Sequence, residues 1–376
     1  MTRWLLPVGL AVFALPAPTT AQPAGVRVTT LPAVPVVERD EHQQLLNFDF
    51  SLQNESGHPR EVVRIEVAVY DRQDRLVRRQ FIWASGAASP ALLTVPDRVV
   101  PPGQRLSLFN PFYAFPSNIE IGRLHYQFVF ETRGIEPVSS AEIDVKPVAA
   151  ETTTLTLPVD GPAIVYDGHD FYSHHRRIPI GGAMAEKLGL HANPVRFAND
   201  FTPLGPQGEL ARGPLDRPAN WYAFGATVRA PAAGEVVSSA NDVPDNRIEN
   251  GRLVTAEVAT SDELRAALGN HVVIRHATHE YSVLAHLEAG TVTVVPGDRV
   301  TSGQVVGRIG FSGDTGFHVH VHQMLVTEAT MAGEGLPSYF HQARRVALPR
   351  GPGSAGPILS HARLDTGDIV EAVPPR

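Results

Sequence analysis

Proline and glycine punctuate this chain from end to end, 32 of each in 376 residues. Either one in a helix interior costs about 1 to 3 kcal/mol, so long helices are excluded. Between these breakers lie short runs that alternate apolar and polar residues, the period of a half-buried strand. Leu45–Gln53 (LLNFDFSLQ), Val62–Tyr70, Leu76–Trp83, Arg105–Phe109 and Leu124–Phe130 are such runs, and Asn54-Glu55-Ser56-Gly57 and Asp71-Arg72-Gln73-Asp74 supply turns between them. Spacing of this kind predicts an antiparallel, immunoglobulin-like β-sandwich over residues 22–150. With no cysteine in the chain, disulfides, thiolate ligands and a cysteine nucleophile are excluded. His42, His58 and His125 are scattered and read as surface or hydrogen-bonded residues, which makes this half a binding or spacing module.

The first 21 residues have the form of an export signal: Arg3, an apolar Leu5–Leu15 stretch, and small residues at Thr19-Thr20-Ala21 before Gln22. The predicted location is the periplasm or cell envelope, or outside the cell. No later apolar run reaches the roughly 20 residues of a membrane-spanning helix. A formal charge of −7 gives no basic face for nucleic acid.

Composition shifts after Glu151–Pro158. Eleven of the 16 histidines lie between His169 and His322, so metal or proton chemistry belongs to residues 151–330. Strands are predicted at Thr227–Ala230, Gly234–Ser238, His271–His276, Tyr281–His286, Thr291–Val295 and His318–Leu325, with one helix at Ser261–Leu268 capped by Ser261. Residues 331–376, rich in Pro, Gly, Ala and Arg, read as an irregular tail. On a strand, His318-Val319-His320-Val321-His322 sends three imidazoles to one face, and neutral imidazole is both a zinc ligand and a proton carrier.

Gly269-Asn270-His271-Val272-Val273-Ile274-Arg275-His276, Tyr281-Ser282-Val283-Leu284-Ala285-His286-Leu287, Gly303-Gln304-Val305-Val306-Gly307 and Ser312-Gly313-Asp314-Thr315-Gly316 with His318-Val319-His320 follow one another in an order and spacing that resembles the lysostaphin/LytM-type zinc endopeptidases of bacterial peptidoglycan. Val228-Arg229-Ala230-Pro231 through Val236-Val237 resembles that family's preceding strand-turn-strand, so the likeness covers roughly residues 160–327. It implies a β-sheet peptidase domain of the duplicated hybrid motif type, bound Zn2+, and a peptidoglycan peptide as substrate, with other cell-envelope proteins as partners. By the same resemblance His320 and Asp200 are zinc ligands, and His286 and His318 are catalytic; His322 stands beside the site. One position departs from the pattern. Arg196-Phe197-Ala198-Asn199-Asp200 carries arginine where the family has its first ligand histidine, and a guanidinium cannot ligate zinc. Either another imidazole replaces it, with His175 preferred over His174 and His191, or the protein is an inactive scaffold or activator of another hydrolase. A biotinyl-type carrier, suggested by Pro296-Gly297-Asp298, lacks the required lysine, since Lys146 and Lys187 both lie outside the motif.

Overall fold

The computed structural model describes residues 22–373 apart from 24, 41, 85–97, 133–134, 182–184, 186, 188, 258–262 and 331. The export signal and the Ser261 cap lie outside the described residues. The chain is almost entirely β, as its breakers dictate, with one short α-helix among the described residues, Glu263–Leu268.

In the first half, strand Arg123–Thr132 sits between Ile135–Val145 and Arg60–Tyr70, with Leu76–Trp83 at the edge. A three-stranded sheet of Val26–Leu31, Asp49–Asn54 and Arg105–Phe109 shares its core. Alternation explains the packing: Phe48, Phe50 and Leu52 face one way and are fully buried with Tyr126, Phe128 and Phe130 of the facing sheet. Phe50 meets Tyr126 and Phe128 edge-on at 4.8 and 4.9 Å, the arrangement that ring quadrupoles favour. The predicted strand Leu45–Gln53 is broken. Gln43–Leu46 and Asp49–Asn54 belong to different sheets, because Asn47 turns away to donate to the Arg196 carbonyl at 3.1 Å. Alternation would send Asp49 to solvent, yet it is buried, since Arg176 and Arg196 of the second half meet its carboxylate.

The second half is organised by one large sheet. Its order is Arg299–Val300, Gly234–Ala240, Asn270–Ala277, Glu280–Leu287, Val321–Val326, Asn199–Pro203, Ala163–Asp167, Ile369–Ala372 and Ala343–Arg345. Thr291–Val295 forms no strand; Thr291 N–H turns back to the Glu288 carbonyl and Thr293 N–H donates to Val306. The segment after residue 331 is mostly irregular, as expected, but it is not a tail apart from the core. Gly335–Leu336, Ala343–Arg345 and Ile369–Ala372 all join the sheet. Apolar residues spaced through the Pro/Gly-rich stretch, Phe340, Leu364 and Val370, are buried in the same core as Val165 and Phe201. Phe340 packs edge-on against Phe201 at 5.6 Å. Replacing Phe340 by alanine should therefore cost about 3 to 5 kcal/mol, read as a lower urea midpoint, whereas a peripheral tail would show almost no change. None of the described helices is long and apolar enough to cross a membrane.

Candidate metal centre

Adjacent strands carry the site. Asp200 on Asn199–Pro203 lies opposite His322 on Val321–Val326, and His322 lies opposite Ala285 on Glu280–Leu287. Regular strand geometry begins only at Val321, but the alternation starts earlier. Val319 and Val321 enter the core, while His318, His320 and His322 all face Asp200. His175 arrives from outside these strands, on the short 3-10 turn His175–Arg177.

Four imidazoles surround one carboxylate. Asp200 Oδ1 lies 2.8 Å from His322 Nδ1, 3.4 Å from His320 Nε2 and 3.5 Å from His175 Nε2, and its Oδ2 lies 3.3 Å from His318 Nε2. Asp200, His175, His320 and His322 are buried.

His286 is placed by an irregularity. Val272 pairs with Leu284 but Asn270 with Leu287, so the Glu280–Leu287 strand holds an extra residue there, a bulge. His286 within it has φ of +66°, a left-handed conformation that costs an L-residue about 1 to 2 kcal/mol. Strain of this kind at a polar side chain beside a cluster of imidazoles is the pattern of active sites and ligand clamps. Gly269 and Gly313 make its seat. A Cβ on Gly269 would lie 2.5 Å from Ser312, and one on Gly313 would lie 2.5 Å from the Gly269 nitrogen. Their close approach brings the Ser312 carbonyl within 2.9 Å of His286 Nδ1.

Backbone carbonyls assign the tautomers. A carbonyl only accepts, so His286 Nδ1–H donates to Ser312, His175 Nδ1–H to Gly168 at 3.1 Å, and His320 Nδ1–H to His318 at 3.2 Å. Each of these rings then presents a bare Nε2 lone pair inward. Burial favours the neutral forms: it pushes the His175 pKa down to about 4 and that of His286 to about 3, and lowers His320 strongly. Burial works against the Asp200 carboxylate as well, yet hydrogen bonds from His318 and His322 help to hold it well below the usual range. Two lone pairs aimed at one carboxylate oxygen repel it unless a cation lies between them. The donor set, imidazole and carboxylate without thiolate, suits Zn2+.

The structure brings together His175, Asp200, His286, His318 and His320, and moves His322 from beside the site into it. His175, Asp200 and His322 form one group whose ligand atoms lie within 4.8 Å of one another; Asp200, His318 and His320 form a second and His286, His320 and His322 a third. His322 follows the same two-residue repeat as its neighbours, which was the available signal for it. His174 turns to Asp167, whose hydrogen bond raises its pKa, and these two form a fourth such group with His175. His191 is exposed and belongs to none of these groups. Arg196 is buried in a turn, where its Nη1 and Nε pair with Asp49 and Glu334 at 2.8 and 2.5 Å. His276 is structural, held between the Ala233 carbonyl and Ser282 Oγ.

The model of Peptidase family M23 matches residues 221–331. Among solved structures the chain is similar to the M23 metalloprotease pseudoalterin from the deep sea, at 13% identity over 57% of this chain and 100% of that one, with a TM-score of 0.28. It is similar to a zinc-containing peptidase from Vibrio cholerae (11% identity, 80% and 83% covered, TM-score 0.24). It is also similar to a mutant form of the catalytic domain of EnpA, a prophage-encoded M23 protein of Enterococcus faecalis (23% identity, 30% and 74% covered, TM-score 0.17). No curated protein matches the chain. The matched segment holds His286, His320 and His322, and residues 221–331 of this chain carry a domain of peptidase family M23.

Proposed function

We propose that the protein is an exported zinc endopeptidase that hydrolyses peptide bonds of bacterial peptidoglycan, with His175 Nε2, Asp200 Oδ1 and His322 Nδ1 as metal ligands. One observation carries the choice of ligands. One ligand atom from each of His175, Asp200 and His322 lies within 4.8 Å of the other two, close enough for a single ion that would take the place of the proton His322 shares with Asp200. Two imidazoles, one carboxylate and an open position make a catalytic rather than a structural zinc site.

Zinc, when bound, supplies a Lewis acid that polarises a carbonyl and makes water nucleophilic at neutral pH. The chain supplies the rest. His286 and His320 lie side by side, ring centres 4.8 Å apart, each with its proton parked on Nδ1. Their Nε2 atoms can take a proton from the attacking water and return it to the leaving amine, and in the protonated form stabilise the oxyanion. His318, stacked on Tyr166 at 4.2 Å, borders this pair on its more exposed side.

The substrate comes from the resemblance, and export and envelope location from the first 21 residues. Residues 22–150 we read as an immunoglobulin-like sandwich and 151–330 as the peptidase domain. The test is elemental zinc in protein purified without a metal-affinity tag, followed by digestion of purified peptidoglycan. About one zinc per chain, with chelator-sensitive release of new amino termini, is expected. Absence of zinc after incubation with modest excess would instead favour the inactive scaffold.

A further inference from the structure

His175 sits on a loop whose regular structure is a single 3-10 turn. A ligand on a strand is fixed by its ladder; one on a loop needs an external anchor. The anchor comes from the first half of the chain. Asp49, with no exposed surface, begins a strand of the N-terminal core and turns its carboxylate away from that core. Its Oδ1 accepts from Arg176 Nη1 at 2.5 Å and its Oδ2 from Arg196 Nη1 at 2.8 Å.

Both arginines adjoin the metal centre in sequence. Arg176 follows His175 directly, and Arg196 precedes Asp200 by one turn of chain. The network closes on itself: Arg196 Nε donates to Glu334 at 2.5 Å, Glu334 Oε2 accepts from Asn193 N–H at 3.4 Å, and Asn193 Nδ2 donates to the His175 carbonyl at 3.0 Å. Asn47 adds donation to the carbonyls of Arg196 and His169. Two cations and two anions balance. Because an unpaired buried charge is costly, the network tolerates few alternative dockings of the two halves.

We propose that Asp49 is a positioning residue for the metal centre: by gripping Arg176 and Arg196 at once, it sets the His175 loop against the Asp200 strand. The N-terminal half is thus part of the site's framework. Arg196, standing where the resembled family has a ligand, serves as the socket for this clamp. The inference rests on the ligand assignment above for its metal readout only.

The test compares full-length wild type with Asp49→Asn, Glu334→Gln and, as a control, Asp160→Asn, which breaks a peripheral pair with Arg229. Hydrogen exchange by mass spectrometry would follow residues 168–178 and 193–201, with 123–132 as the internal standard. Zinc affinity and the visible spectrum of bound Co2+ would be measured alongside. In Asp49→Asn, exchange should rise in the two site segments and stay unchanged in the standard, zinc should bind about 10-fold more weakly or worse, and the cobalt bands should shift. Glu334→Gln should move the same readouts less, and Asp160→Asn none of them. Wild-type exchange and affinity in Asp49→Asn, or in Glu334→Gln should the first variant not fold, would overturn the clamp. If the wild type itself bound no metal, the peptidase reading would fail and exchange alone would decide the clamp.

Discussion

Replacing His322 by alanine should empty the metal site. Its Nδ1 makes the shortest contact to Asp200, 2.8 Å, on the strand paired with that of the aspartate. A zinc site worth about 10 to 16 kcal/mol over all its ligands loses roughly 3 kcal/mol or more with one of them, on the order of 100-fold in affinity. Zinc content after dialysis should fall from one per chain to near zero, and hydrolysis with it. His286→Ala separates the two functions. Its Nδ1 is held by a carbonyl and it belongs to the proton-handling pair, so zinc should remain while hydrolysis falls by about 10²- to 10⁴-fold. Elemental analysis of His318→Ala, His320→Ala and His322→Ala side by side decides the assignment. Retention of zinc by His322→Ala with its loss from His320→Ala would return the ligand role to His320, as the resemblance alone implies.

Restoring the family's histidine at position 196 should harm the protein. On the sequence, Arg196→His repairs a metal site; in the structure it removes a buried guanidinium from Asp49 and Glu334. Burial works against the Arg196 charge, but Asp49 and Glu334 more than compensate and raise its pKa. Breaking such a buried pair on one side costs about 3 to 5 kcal/mol, a fall in Tm on the order of 10 °C for a domain of this size. Zinc affinity should not improve. A variant with unchanged Tm and tighter zinc would show that Arg196 is a lost ligand after all.

Much of the fold was legible because strand periodicity is local. Val62–Tyr70, Leu76–Trp83 and Arg105–Phe109 lie within one or two residues of the observed strands, and the histidine repeat announced the site. What escaped depended on distant partners. Asp49 has the sequence context of a solvent-facing residue in an alternating strand, and only the second half of the chain buries it. Arg196 looked like a defect for the same reason: its carboxylate partner lies 147 positions away. His322 was placed at the margin because the resemblance ends at a two-histidine motif, whereas the pairing of His322 with Asp200 follows from strand register, which no motif records. The last 45 residues looked irregular because their strands are only two to four residues long, too short for a period to show.

One of those short strands bears on how the molecule is made. Ile369–Ala372 pairs with Ala163–Asp167, bringing Ala163 beside Val370. Contacts between such remote positions form slowly, since the loop between them must close before the pairing repays it. A chain emerging amino end first can complete its N-terminal core early, but the strand beside that of Asp200 stays without its outer neighbour until residues 369–372 have been made. Until then its unpaired backbone groups are an open template for another chain. A product that stopped before residue 369 would keep every residue of the histidine cluster and still carry that template.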